Sequence, residues 1–171
     1  MGTPTEDADA GRLRRGWAAA YGAASQTEPQ SMFTLDPRLE GDTIPVIQLG
    51  LSTVLLMDEP AWPWLILVPM RADVRELTDL SADERQVLIE EIALAERVLA
   101  RLHRPDKLNV GALGNMVPQL HIHVIARHTT DPAWPRPVWG AVERTRHPPA
   151  AAADMVAALR TAFAAEARSD G

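Results

Sequence analysis

From Phe33 onward the chain is a succession of short apolar runs cut by turn residues, opening with Asp36-Pro37-Arg38, and the length of each run limits what it can form. Residues 44–49, 53–57 and 64–68 are each five or six long; the second stops at Asp58-Glu59-Pro60 and the third at Pro69. Apolar runs of that length, bounded by turn residues and proline, predict strands covered on both faces. The pattern then changes period. Ser81 and Glu84 have the spacing of a capping box, in which the serine hydroxyl accepts an amide of the first turn and the glutamate reaches back to the serine amide. Leu88, Ile92, Ala95, Leu99 and Leu102 follow at intervals of three or four, forming one apolar stripe of a helix, with Glu90, Glu91 and Arg97 assigned to its other faces. Pro105 ends that helix, because it has no amide hydrogen and disfavours helical geometry at Arg104. Two further strands are expected over 107–111 and 119–127, joined by a turn through 112–118. An Ala-rich helix over 150–167 carries Met155, Val156, Leu159 and Phe163 on one side.

Residues 1–30 have a different texture. Ala, Gly, Ser and Asp dominate, and a short helix over 11–24, carrying Trp17 and Tyr21, is weakened by Gly16 and Gly22. The expectation is an N-terminal arm over 1–30 ahead of one domain over 31–171 that includes the C-terminal helix, since 171 residues suit a single core. An apolar content of 46% with 23% charged residues is ordinary for a globular fold. A formal charge of -6 argues against a surface for duplex nucleic acid, which needs clustered Lys and Arg to replace condensed counterions. The absence of cysteine rules out disulfides, thiolate metal ligands and a thiol nucleophile. No apolar stretch is long enough for a secretory signal or a membrane span, so a cytoplasmic protein with no membrane partner is expected.

Chemistry concentrates in Gln119-Leu120-His121-Ile122-His123-Val124-Ile125-Ala126. Side chains alternate across a strand, so Gln119, His121 and His123 share one face and Leu120, Ile122 and Val124 line the other. Two imidazoles about 7 Å apart on one face suit adjacent groups of a single substrate. Two other readings stay open at this point. The pair is equally compatible with an exposed sheet face, and a His-x-His pair also has the form of a metal-ligand pair, although no third ligand lies near in sequence. Trp62, Trp64, Trp134 and Trp139 are candidates for stacking on a base but more often fill cores, and Arg127 suits either a phosphate or solvent.

These residues resemble the histidine-triad superfamily, whose signature alternates three histidines with apolar residues on a strand. The resemblance covers roughly 35–140. It extends to Leu65-Ile66-Leu67-Val68-Pro69 as an apolar strand ending in proline, to the long helix from Ser81, to Asn109-Val110-Gly111, and to Trp134-Pro135 after the triad. It implies an α+β fold: a histidine-triad-like antiparallel sheet with a long packed helix, here with an additional C-terminal helix, in a homodimer whose sheets are joined. It also implies a hydrolase or transferase of nucleotidyl groups, acting on nucleoside phosphate esters, phosphoramidates or dinucleoside polyphosphates. Carried over by position, His121 matches the nucleophile and His123 the last triad histidine, which contacts phosphate. Asn109 matches a residue near ribose and the catalytic histidine, and Asp58 an acid on the ribose hydroxyls. The glycines Gly111 and Gly114 place backbone amides of 111–115 where they can stabilise phosphoryl oxygens. No cofactor and no metal are called for, because a neutral imidazole can attack phosphorus directly.

The pattern departs at its first position, where Gln119 stands in place of histidine. An amide donates a hydrogen bond but delivers no proton, and general acid catalysis contributes about 10²–10⁴-fold. Trp64 and Ala72 occupy positions where many members carry histidine. A nucleotide-binding regulatory module with little or no turnover is therefore the alternative function, and an interaction protein with a solvated strand face is a third.

Overall fold

A computed structural model describes residues 33–169; the arm expected over 1–30, with its short helix, lies outside the described residues. The first element is a helix, α1 (Pro37–Asp42), where the sequence suggested only a turn. Asp36 caps it by accepting the Arg38 amide, and Pro37 sits in the first turn, where its missing N–H costs nothing. Six residues are too few to display a helical stripe, which is why the pattern did not reveal it.

Three strands follow, β1 (Thr43–Gln48), β2 (Ser52–Met57) and β3 (Trp64–Pro69), then a short 3₁₀ turn at Leu77–Asp79 and the long helix α2 (Ala82–His103). The chain continues through β4 (Lys107–Gly111) and β5 (Ile122–Arg127) and ends in α3 (Pro149–Ser169). The five strands form one antiparallel sheet in the order β1-β2-β3-β5-β4, so the fold is α+β as expected. β3 and β5 lie side by side in the interior and are buried along their whole length, which accounts for the unbroken apolar run of β3; β5 breaks its own only at His123 and Arg127.

The sheet has two unlike faces. On one, Val54, Leu65, Leu67, Ile122, Val124 and Ala126 pack against Leu88, Ala95 and Leu99 of α2 and Leu159 and Phe163 of α3. On the other, Leu55, Ile66, Val68 and Ile125 meet Trp62 and Trp64 and are covered by Ala133 and Val138, part of the irregular segment 128–148. That segment is tied down by polar contacts: Arg146 and the His147 amide to Asp58, Arg144 to Asp42, and the Thr145 amide to Glu59.

α2 begins at Ser81 with both capping-box bonds formed, and it ends one residue before Pro105 with Arg104 in the left-handed region at φ 46°. One assignment is corrected. Glu91, expected on an outer face, is fully buried on the same side as Leu88 and Ala95 and accepts the Leu51 amide at 2.7 Å. A carboxylate at an i+3 position of the stripe supplies the acceptor that the tight β1–β2 connection lacks. Burial pushes the Glu91 pKa up, opposed by hydrogen bonds from Ser52 and Leu51. Leu102, by contrast, is 36% exposed, because the stripe outlasts the surface it covers.

β5 is also shorter than expected: it starts at Ile122, not at Gln119. Its ladder with β3 ends at Leu67↔Ile122, and the Leu120 amide turns to the carbonyl of Val74 in the following loop. His121 thus sits on the lip of the sheet while His123 lies within it. No helix among the described residues is long and apolar enough to cross a membrane.

Candidate active site

The two histidines come together at that lip. Their ring centroids are 4.9 Å apart with planes at 79°, and each residue is only 7% exposed. The hydrogen bonds settle which nitrogen of each ring carries a proton. His121 Nδ1 lies 2.7 Å from the backbone carbonyl of Gln119. A carbonyl only accepts, so Nδ1 is the protonated nitrogen and the Nε2 lone pair of neutral His121 is left available.

His123 has the opposite arrangement. Its Nδ1 lies 3.0 Å from Trp64 Nε1, and an indole N–H only donates. Neutral His123 therefore carries its proton on Nε2 and presents a donor there. Burial, reinforced by the neighbouring His121, lowers its pKa to about 3. It follows that His123 stays neutral through the physiological range. Between about pH 6.5 and pH 3 the unfolded chain binds a proton at this residue that the folded chain does not, so its contribution to stability is complete above pH 6.5 and declines as pH falls. In an NMR titration from pH 8 to pH 5, the His123 ring resonances are expected to stay fixed in the Nε2–H form. A midpoint near 6.5 would contradict this arrangement.

Aromatic rings enclose His123. Trp64 and Trp139 stand edge-on to it at centroid distances of 5.3 and 5.4 Å, and Trp64 also packs edge-on to Trp62 at 6.4 Å. Trp62 and Trp64 are core residues, whereas Trp139 is 38% exposed and roofs the imidazole. Strand register pairs Gly111 with His123, and a Cβ on Gly111 would lie 3.4 Å from the Trp139 ring, so the glycine lets the roof approach. Gly114 adopts φ +68°, a turn conformation that an L side chain resists.

The third expected member of the constellation is elsewhere. Gln119 Oε1 accepts the Asp36 amide and its Nε2 donates to the Thr34 carbonyl, each at 2.9 Å. Only one orientation of the amide satisfies both partners. The side chain clamps the approach to α1 instead of turning toward the rings; His121 is held by the Gln119 backbone.

Half-buried Asn109 and buried Arg127 form a pair on the same sheet face. Arg127, 1% exposed, donates to Asn109 Oδ1 at 2.8 Å, to the Arg136 carbonyl at 3.0 Å and to both oxygens of Asp131. It also stacks under Trp134 at 5.8 Å. Neither role weighed for Arg127, phosphate contact or solvated surface, describes this anchor. Asp58 accepts from Arg146 at one carboxylate oxygen and from the His147 amide at the other, and so fastens the covering segment. Spacing did not foretell these partners, which lie 88 and 89 residues further along the chain.

His121 lines a cavity of about 250 Å³ with Gly114, Ala112 and Leu113. A second cavity of about 360 Å³ lies on the Gln119 side, and Arg75 lines both. Nothing in the sequence singles out Arg75, which stands in an irregular stretch ahead of the 3₁₀ turn. The Trp64–His123 bond was equally hidden, since it requires knowing that β3 pairs with β5. Among the described residues no group of three or more His, Cys, Asp or Glu is placed to hold a metal ion.

Comparison with known proteins gives this arrangement a lineage. A histidine triad protein from Bradyrhizobium japonicum is 44% identical and superposes with a TM-score of 0.75 over 77% of this chain and 98% of its own. One from Marinobacter aquaeolei VT8 is 41% identical with a TM-score of 0.76, covering 79% and 98% of the two chains. A bis(5'-adenosyl)-triphosphatase from Saccharomyces cerevisiae is 32% identical over 69 residues, 37% of this chain and 34% of its own length, so the match spans about a third of that relative. The HIT domain model matches residues 38–130, more than half of the chain, and includes every strand and the paired histidines. The chain belongs to the HIT family of histidine-triad proteins.

Proposed function

We propose that this protein is a nucleotidyl hydrolase or transferase that forms a nucleotidyl-histidine intermediate on His121, acting on nucleoside phosphate esters of the dinucleoside polyphosphate type. The observation that carries the reading is the bond from His121 Nδ1–H to the Gln119 carbonyl, which frees Nε2 as a lone-pair nucleophile at the edge of a cavity. A neutral imidazole so oriented splits one difficult displacement at phosphorus into two easier ones. His123, locked as a neutral Nε2–H donor by Trp64, supplies a hydrogen bond to a phosphoryl oxygen without competing as a nucleophile. Gly111 and Gly114 allow the backbone to come close to the phosphate, and Asn109 meets the ribose side through its amide nitrogen, its oxygen being held by Arg127. The yeast relative, named for cleavage of a diadenosine triphosphate, supports the substrate class.

The competing reading is a nucleotide-binding module without turnover, favoured by the removal of Gln119 from the ring cluster. Incubation with diadenosine triphosphate separates the two. Release of AMP and ADP is expected; calorimetric binding of AMP with no product from the triphosphate would establish the module instead.

A further inference from the structure

Among the described residues, none lining the two cavities beside His121 is placed as an acid for the departing half of a substrate. His121 is the attacking group, and the proton on its Nδ1 is held by the Gln119 carbonyl. The side chain of Gln119 is spent on Asp36 and Thr34. His123 is neutral, with its Nδ1 occupied by Trp64. Otherwise, the ionisable groups lining the two cavities are the carboxylates Asp36, Asp73 and Glu76 and the guanidinium groups of Arg38 and Arg75. An ionised carboxylate only accepts hydrogen bonds, and a guanidinium keeps its protons, so neither kind of group serves as an acid here. Arg38 is paired with Asp36, and Arg75 is the cation common to both cavities.

We infer that the site is selective for nucleotidyl substrates whose leaving group is an acidic phosphate, received at Arg75, and discriminates against amine and alkoxide leaving groups; this rests on His121 being the nucleophile. The electron count requires no acid. The Nε2 lone pair forms a P–N bond to the α-phosphorus, the bond from phosphorus to the bridging oxygen breaks, and its pair departs on that oxygen. A phosphate oxygen with a pKa of about 6 leaves stably as the anion. The positive charge left on the ring is shared with Nδ1–H, where the Gln119 carbonyl accepts. In the second half, water adds to phosphorus, its proton passes to solvent, and the P–N pair returns to Nε2. A phenol, at about 10, or an amine leaves poorly unless something protonates it, and no described residue lining the cavities is placed to do so.

The test is a leaving-group series on the full chain: diadenosine triphosphate, the 4-nitrophenyl and phenyl esters of AMP, and adenosine 5'-phosphoramidate. Turnover of the triphosphate and the nitrophenyl ester is expected, with kcat/KM for the phenyl ester and the phosphoramidate lower by at least about 10²-fold. Arg75→Ala is expected to depress the triphosphate about tenfold more than the nitrophenyl ester, whose leaving group carries less charge. Gln119→His should narrow the gap between the two aryl esters, but the series on the unaltered chain decides the matter even if that variant does not fold. Similar rates for both aryl esters, or an equal loss on both substrates in Arg75→Ala, overturn the leaving-group inference and leave the nucleophile standing. No turnover of any member, the nitrophenyl ester included, overturns the nucleotidyl-transfer reading itself.

Discussion

On the proposed mechanism, replacing His121 by alanine is expected to lower the release of nucleoside monophosphate by on the order of 10⁴-fold or more, because it removes the atom that would bond to phosphorus and not merely a contact to it. The loss should fall on kcat, while AMP continues to bind with little change. A second readout tests the intermediate directly. With substrate labelled at the α-phosphorus, rapid quenching should leave label on the native protein, stable to alkali and labile to acid as a phosphorus–imidazole bond is, and none on the His121→Ala protein. His121 precedes the first residue of β5 and belongs to neither apolar cluster, so a circular dichroism melt of the alanine variant is the control that its fold is kept. Turnover at the native rate would transfer the chemistry to another group and dissolve the assignment.

The second large effect concerns stability. Arg127 is 1% exposed and Asp131 5%, joined by two hydrogen bonds at 2.7 and 3.0 Å. Arg127→Ala leaves a buried carboxylate without its partner, together with Asn109 Oδ1 and the Arg136 carbonyl, a loss of about 3–5 kcal/mol by the usual cost of halving a buried pair. Urea unfolding should show it as a lower midpoint. The double replacement Arg127→Met with Asp131→Leu should cost less than the single one, since it strands no charge. The pH dependence has a definite sign. Hydrogen bonds from Arg127 hold the Asp131 carboxyl well below the usual carboxylate range. Its contribution is therefore complete above about pH 4, where the unfolded carboxylate is ionised, and is lost as pH falls below that value toward the folded-state pKa. In Arg127→Ala the acid limb of the stability curve should flatten. An unfolding midpoint equal to that of the native chain would show that the network contributes nothing.

How much of this was legible depends on range. The long helix could be read from its letters because Ser81, Glu84 and Pro105 act on residues within one turn of themselves, and the stripe from Leu88 to Leu99 repeats the geometry of a single element. The strands were legible for a similar reason: burial on both faces writes itself as an unbroken apolar run in β3 and as a mostly apolar one in β5. Glu91 was misplaced because a charged letter on an apolar stripe has no meaning until the Leu51 amide, forty residues away, is known to need it. The candidate site divides along the same line. The proximity of His121 and His123 follows from alternation along one segment. The partners that set their tautomers and divert Gln119 come from the Gln119 backbone, β3 and the approach to α1, and pairing across the sheet is not encoded locally. Asp58 and Arg127 looked like ligand contacts because charged residues near a motif invite that reading, yet each is engaged in holding the chain to itself.

The two faces of the sheet are held by different forces. The helical layer adheres chiefly through apolar contact, whereas the segment over His123 adds to the apolar contacts of Ala133 and Val138 the partly exposed ion pairs Arg144 to Asp42 and Arg146 to Asp58. Exposed ion pairs weaken with ionic strength, and apolar burial does not. The cover over the paired histidines is therefore expected to loosen in high salt before the scaffold beneath it does.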